Sequence, residues 1–210
     1  MKRRDLKRPV WRSLSHVPTL AYRSVGTQPG DDVLIVGTGP MGVLHLQTQR
    51  LAGAGRVMMA DISDSRLELV KRYRPDILIN SGREDLVGAV MKHTDGIGAD
   101  VIITACPVPE VQQQALRMAA KNGRINLFGG LPMGKQLVEL DTNLIHYNGL
   151  VVTGTTRYAQ SDYYKSVKLM EDKRIDTASI ISRRFRIDMI REAFEYAMGG
   201  EGLKTLIEFF

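Results

Sequence analysis

The chain has 210 residues, of which 43% are hydrophobic and 25% are charged. These values are typical of a globular protein with a buried core and exclude a disordered or fibrous chain. No apolar run approaches the roughly 18 residues of a membrane-spanning helix. A single cysteine, Cys106, cannot form an internal disulfide or a multi-cysteine zinc site, and the four histidines are widely separated. We therefore expect a cytoplasmic protein whose own residues bind no metal.

The net charge of +6 is concentrated at the start of the chain, because residues 1–12 carry six basic side chains and one acidic side chain. We interpret residues 1–13 as a basic tail that is solvated, and expect neither a membrane nor a nucleic-acid partner. Two other interpretations stay open, namely an organelle transit peptide and an arm that binds nucleic acid.

Six short apolar segments of β type recur from residue 33 onward at intervals of one strand plus one helix. They begin at Val33, Val57, Ile77, Val101, Ile125 and Val151. The segments are continuously apolar, as in strands of a parallel sheet buried on both faces. The pattern predicts an α/β fold, a Rossmann doubly wound six-stranded parallel sheet.

The segments between these strands have helical periodicity. We predict helices over 64–70 and over 111–120, the second ending at the Asn122-Gly123 C-cap signal. Beyond Gly154 the repeat stops, which predicts a short C-terminal α+β extension. It contains helices over 161–172 and 188–198 and strands over 180–185 and 203–210. The predicted domains are the tail 1–13, a dinucleotide-binding domain 14–160 and the extension 161–210.

The first predicted strand leads into a GxGxxG motif formed by Gly37, Gly39 and Gly42. Gly37 permits a tight turn, Gly39 lets the backbone approach a pyrophosphate, and Gly42 lets the helix pack closely on the strand. Pro40 and Met41 begin the helix, whose positive end points at the phosphates.

An acidic residue, Asp61, ends the second strand 19 residues beyond Gly42. A carboxylate at this place accepts the ribose hydroxyls of an adenosine and repels a 2′-phosphate, so we predict NAD(H) as the cofactor and not NADP(H). The alternative is an ordinary tight turn, with Asp61 as the cap of the next helix.

The stretch from GDDVLIVGTGPMG through ADISDSRLELVKR is similar to the cofactor domain of the zinc-type medium-chain dehydrogenases, which include alcohol, sorbitol and threonine dehydrogenases. The similarity continues through TDGIGADVIITA, NGRINLFGGLP, GLVVTGT and LKTLIEF. It covers about residues 14–210.

The resemblance implies further cofactor contacts. Arg66 matches a basic position beside the adenosine, and Lys204 matches a basic residue that reaches back to the pyrophosphate; solvated surface charges are the alternative for both. Ala105 begins Ala105-Cys106-Pro107, which departs from the relatives, since they have a small residue and glycine near the cofactor at this place. The segment Gly129–Gly130 and Thr155 fall where the family holds the nicotinamide. We interpret Cys106 as a small buried or loop residue and not as a nucleophile, because no partner base is readable nearby.

The resemblance also implies a zinc-bearing N-terminal domain, for which this chain offers no ligands; the last family ligand falls near Arg12–Ser13. We therefore expect the NAD(H)-binding portion of an alcohol or polyol dehydrogenase, with catalytic residues unknown and little activity alone. A separately encoded catalytic domain would complete it. A non-catalytic regulatory or redox-sensing module is the alternative.

The last strand of the series, Val151–Thr153, is expected at an edge of the sheet. It is apolar and carries no Pro or Lys to protect it, so we predict a homodimer through this edge, as the resemblance also implies. A monomer whose edge is covered by the C-terminal segment is the alternative. Without a catalytic domain, four phenylalanines of the extension are expected on exposed apolar surface: Phe185, Phe194, Phe209 and Phe210.

Overall fold

The computed structural model describes residues 23–156 and 160–209. Six parallel strands form one sheet in the order β3-β2-β1-β4-β5-β6. They are β1 (Asp32–Val36), β2 (Arg56–Asp61), β3 (Ile77–Asn80), β4 (Ala99–Thr104), β5 (Ala119–Leu127) and β6 (Val151–Gly154). The predicted α/β class, the six strands and the doubly wound order are confirmed, and β6 lies at an edge as expected.

A helix follows each of the first five strands and leads to the next one, as in the right-handed crossovers that are typical of parallel sheets. The helices are α1 (Pro40–Ala52), α2 (Asp64–Val70), α3 (Leu86–His93), α4 (Pro109–Met118) and α5 (Thr142–Asn148), followed by α6 (Gln160–Glu171) and α7 (Ile190–Gly199). Within residues 23–156 and 160–209, no helix has the length and apolar composition needed to cross a bilayer.

Side chains of the central strands alternate between two buried clusters, one on each face of the sheet. In β1, Leu34 packs in the cluster that includes residues of α3 and α4, whereas Val33 and Ile35 pack in the cluster beneath α1. All three side chains are fully buried. Burial on both faces explains why the strands are continuously apolar in sequence.

The predicted end of α4 is wrong. The helix stops at Met118, and the backbone of Ala119 is already extended and pairs with Ala99 of β4. Asn122 does adopt the left-handed conformation that a C-cap signal predicts, with φ of 60°. It does so inside β5, where the pairing with β4 shifts register and the Asn122-Gly123 pair forms an irregularity in the strand.

The C-terminal extension forms a second, two-stranded parallel sheet from β7 (Ile181–Arg186) and β8 (Lys204–Glu208), with α7 between them. Phe185 is only 4% exposed, so its predicted exposure is wrong. Its ring packs against Tyr196 of α7. Phe194 and Phe209 are 59% and 72% exposed, as expected, and Phe210 lies outside the described residues. The domain bounds proposed above stay a prediction.

A histidine is buried in α1 directly behind the glycine motif. His45 is fully buried, and neither ring nitrogen has a hydrogen-bond partner in the part of the chain that the structure describes. The ring meets Phe128 edge-on, with 4.4 Å between ring centroids. Burial lowers the pKa of His45 from 6.5 to about 3, because the charged imidazolium would lose its hydration there.

The pH dependence of stability tests this burial. Between pH 6.5 and about 3 the unfolded chain binds a proton at His45 that the folded chain does not, so stability falls as the pH falls through this window. We expect the free energy of unfolding to drop by about 1.4 kcal/mol from pH 7.5 to pH 5.5 through this one group. Urea unfolding of His45→Leu should lack this component, whereas exposed His146→Gln should keep it. An unchanged pH slope in His45→Leu would contradict this interpretation.

Candidate cofactor site

Three loops lie side by side where β1, β4 and β5 end. In each loop, one of the first two residues continues the sheet by a backbone hydrogen bond of 2.7 Å: Gly37 N–H donates to Ala60, Ala105 N–H to Val36, and Gly129 N–H to Thr104. The structure therefore brings the predicted residues Gly37, Ala105 and Gly129 together at the carboxyl edge of the sheet. In open α/β sheets, ligands bind in the crevice at this edge.

Two of the motif glycines are required by the fold itself. Gly37 has φ of 110°, which L side chains rarely adopt. A Cβ atom built at Gly42 would lie 2.0 Å from the carbonyl oxygen of Gly37, which real atoms cannot tolerate. The start of α1 therefore rests directly on the end of β1.

The remaining motif glycine, Gly39, is required neither by its backbone conformation nor by packing against the described residues. Its φ is −65°, which any residue adopts. A Cβ built at Gly39 would have the Arg66 guanidinium as its nearest neighbour, at an ordinary contact distance of 3.6 Å. The described residues therefore leave room for a side chain at Gly39, and they give no conformational or packing reason for glycine there.

The N-terminus of α1 differs electrostatically from those of its neighbours. Ser63, Asp85 and Asp141 cap α2, α3 and α5 with side-chain oxygens. At α1 the cap is Gly39, which has no side chain, and the first turn contains no acidic residue. Pro40 begins this 13-residue helix, as predicted, and Met41 packs partly against the cluster below. The first turn of α1 thus has neither a capping side chain nor an acidic residue of its own to balance its positive end.

Asp61 binds the glycine turn and does not cap the next helix. Its Oδ2 accepts hydrogen bonds from the backbone N–H of Thr38 at 2.9 Å and from the Thr38 hydroxyl at 2.8 Å. Its Oδ1 accepts from the N–H of Ser63 at 3.1 Å. The capping side chain of α2 is Ser63. Because Ser63 supplies the cap, the alternative that Asp61 caps the next helix is wrong. The Asp61 carboxylate is half-buried beside the glycine turn.

Arg66 lies beside the glycine turn. Its guanidinium is near Gly39 on one side and near Gly200 on the other, 3.3 Å from a Cβ built at Gly200. Within residues 23–156 and 160–209, no carboxylate forms an ion pair with it. Lys204 begins β8 opposite Ile181, and its approach to the pyrophosphate stays a prediction.

The segment predicted to hold the nicotinamide contains one open and one inward-facing residue. Apart from its chain neighbours, no described residue has an atom within 4 Å of a Cβ built at Gly130. Thr155 donates its hydroxyl to the Oδ1 of buried Asn126 at 3.1 Å. Asn126 also donates to Ser24 and Thr153, so it joins β5, β6 and the segment before β1.

Two functional candidates were absent from the sequence prediction. Thr38 lies between the first two motif glycines, and its sequence position alone does not reveal which group its hydroxyl contacts. Asn126 is the polar residue within the apolar segment INLF. An amide side chain in a buried strand needs hydrogen-bond partners, and this requirement could have identified it.

The thiol of Cys106 is not activated. Burial raises its pKa to about 11, and the charge of Asp61 adds to this effect. The thiol is therefore protonated at neutral pH and is a poor nucleophile.

A catalytic zinc ion does not fit the described residues. Zinc needs at least three convergent ligands from side chains such as Cys, His, Asp and Glu. Over residues 23–156 and 160–209, the structure brings no such group together.

The parallel sheet and the glycine turn define the class of the protein, an α/β fold of the Rossmann type. The model of the zinc-binding dehydrogenase family matches residues 40–172, and the chain belongs to that family.

The chain is 34% identical to an L-threonine 3-dehydrogenase of Pyrococcus horikoshii over 183 residues, which cover 86% of this chain and 52% of the relative. It thus spans about half the length of the curated relatives it matches.

Two solved structures have the same fold. The 2R,3R-butanediol dehydrogenase of Bacillus subtilis matches with a TM-score of 0.86 and 22% identity, over 98% of this chain and 58% of that protein. A Sinorhizobium meliloti protein solved with NADP matches with a TM-score of 0.85 and 25% identity, over 92% of this chain and 56% of that protein.

The two glycines that follow Thr38 should respond oppositely to substitution. Gly42→Ala should lower the free energy of unfolding by at least about 2 kcal/mol, because its Cβ meets a backbone oxygen that cannot move aside. Gly39→Ser should leave stability unchanged or raise it, because serine supplies the missing cap of α1. Thermal and urea unfolding measure both. Equal destabilisation of the two variants would contradict the distinction.

Proposed function

We propose that the chain is the NAD(H)-binding portion of a zinc-type dehydrogenase that oxidises a secondary alcohol or polyol. The observation that carries this proposal is Gly39, whose open approach lies at the uncapped start of α1 beside Asp61. A pyrophosphate is the anion that such a helix end and a glycine without side chain accommodate. When bound, the nicotinamide would accept or donate the hydride.

Each part of the site has a task in this proposal. The first N–H groups of α1 would bind the pyrophosphate, and Arg66 would add a positive charge on its adenosine side. Asp61 would accept a ribose hydroxyl. The loops at Ala105, Gly129–Gly130 and Thr155 would hold the nicotinamide, and Lys204 would approach from the extension. The relatives' names support a substrate with a CH–OH group.

Turnover by this chain alone is proposed to be weak, because its described residues contain no ligand set for the metal that would polarise the alcohol. We propose that a separately encoded catalytic domain supplies the ligands for this metal. We also propose that the protein works in the cytoplasm.

The C-terminal helix supports such a partner. Ile190, Phe194 and Met198 recur every four residues along α7 and are 43%, 59% and 85% exposed. Residues at this spacing share one helix face, and an exposed apolar face of this kind is typical of an interface.

A non-catalytic regulatory or redox-sensing module is the second candidate, favoured by a candidate cofactor site at which the described residues bring no metal-ligand group together. Turnover of a secondary alcohol that appears when a zinc-loaded catalytic domain is added would decide for the dehydrogenase.

Asp61 is proposed to make the site selective for NADH over NADPH. A carboxylate beside the ribose would repel a 2′-phosphate, so NADH should bind at least about tenfold more tightly, which corresponds to about 1.4 kcal/mol. Asp61→Ser should remove most of this difference. Asp64→Ser, which changes an exposed carboxylate of α2, is the matched control and should keep it. Nucleotide fluorescence titrations measure both affinities; equal affinities in the unmutated protein would defeat the assignment.

We also propose a homodimer through β6. This strand pairs with β5 on one side, and among the described residues its other side faces no strand. Val151 is 49% exposed. An open apolar edge pairs readily with a second copy, and a two-fold axis closes the assembly.

Val151→Lys should convert the dimer into a monomer, because two like charges would face each other across the axis. Ile97→Lys is the matched control, since it charges another exposed apolar side chain, in the loop before β4. Light scattering reports the mass of each variant. A Val151→Lys dimer as stable as the unmutated one would place the interface elsewhere.

A further inference from the structure

We propose that Thr38 is a positioning residue that sets the ribose specificity of the cofactor site through Asp61. This inference rests on the proposed function. Thr38 is fully buried, so its side chain is not available to a ligand at the turn. Its hydroxyl and its backbone N–H both donate to one oxygen of Asp61, at 2.8 Å and 2.9 Å.

The hydrogen bonds to Asp61 limit what its carboxylate can still accept. A carboxylate has about four acceptor positions. Thr38 fills two of them on Oδ2, and the N–H of Ser63 fills one on Oδ1. The part of the chain that the structure describes therefore leaves about one position, on Oδ1, for a ribose hydroxyl. Asp61 accepts a single hydroxyl strongly, and not both as a free carboxylate would.

The same contacts fix the plane of the carboxylate. Oδ2 is held from the glycine turn and Oδ1 from the start of α2, so rotation of the side chain would break a charge-assisted bond. A carboxylate that cannot rotate away keeps its negative charge where a 2′-phosphate would lie. Without the Thr38 hydroxyl it could turn aside, which weakens the contact with NADH and relieves the repulsion of NADPH.

The test compares cofactor affinities of a series at Thr38. Thr38→Val replaces the hydroxyl by a methyl group of similar shape and should reduce the preference for NADH over NADPH about threefold to tenfold. Thr38→Ser keeps the hydroxyl donor and should therefore keep the preference for NADH over NADPH. Thr48→Val is the matched control, because Thr48 also has a buried hydroxyl, which lies in α1 and, among the described residues, donates to backbone carbonyls. This variant should leave the preference unchanged.

A double-mutant cycle shows whether Thr38 acts through Asp61. In an Asp61→Asn background, Thr38→Val should change the NADH-to-NADPH ratio by less than about twofold. If Thr38→Val does not fold, Thr38→Cys takes its place, since a thiol is a weaker donor.

The outcomes separate the two proposals. If the unmutated protein binds neither cofactor, the proposed function fails and this inference fails with it. If the unmutated protein prefers NADH, but Thr38→Val or its Cys substitute keeps that preference, only the role of Thr38 is overturned. Equal weakening of NADH and NADPH, or the same shift in the Asp61→Asn background, would also overturn it by making Thr38 merely structural.

Discussion

The approach of Gly42 to the carbonyl of Gly37 is the constraint on which the site depends. A Cβ at Gly42 would lie 2.0 Å from that oxygen, so α1 begins directly on the end of β1. This contact determines the position and direction of α1. It therefore also determines where the uncapped N–H groups of the helix point. Half-buried Gly39 and the Arg66 guanidinium lie beside each other at this turn.

Asp61 connects this turn to the neighbouring strand and carries the specificity of the proposed site. Its two bonds from Thr38 tie the loop after β1 to the end of β2, where the sheet no longer does so. The arrangement separates two kinds of charge at the carboxyl edge of the sheet. The helix end and Arg66 favour an anion, whereas Asp61 favours a neutral hydroxyl. A dinucleotide with an unmodified adenosine ribose offers both an anion and a hydroxyl.

Much of the fold was predictable from sequence because the sheet is buried on both faces, which makes its strands continuously apolar. The end of α4 was not predictable. The Asn122-Gly123 signal reports a left-handed backbone, which a strand irregularity uses as readily as a helix C-cap. Burial of Phe185 depended on the contact with Tyr196, which no local pattern encodes. In the site, the glycine motif and Asp61 were readable from their spacing. The partner of Asp61 was not, because one hydroxyl in a loop does not reveal its acceptor.

Binding of NADH by the isolated chain, compared with its Gly39→Ser variant, tests the account most directly. Fluorescence titration should give one saturable site per chain in the unmutated protein. Gly39→Ser should weaken that binding at least about tenfold, because a side chain would occupy the approach of the pyrophosphate, while its thermal unfolding stays unchanged or moves upward. Equal NADH affinity in the two folded proteins would contradict the account.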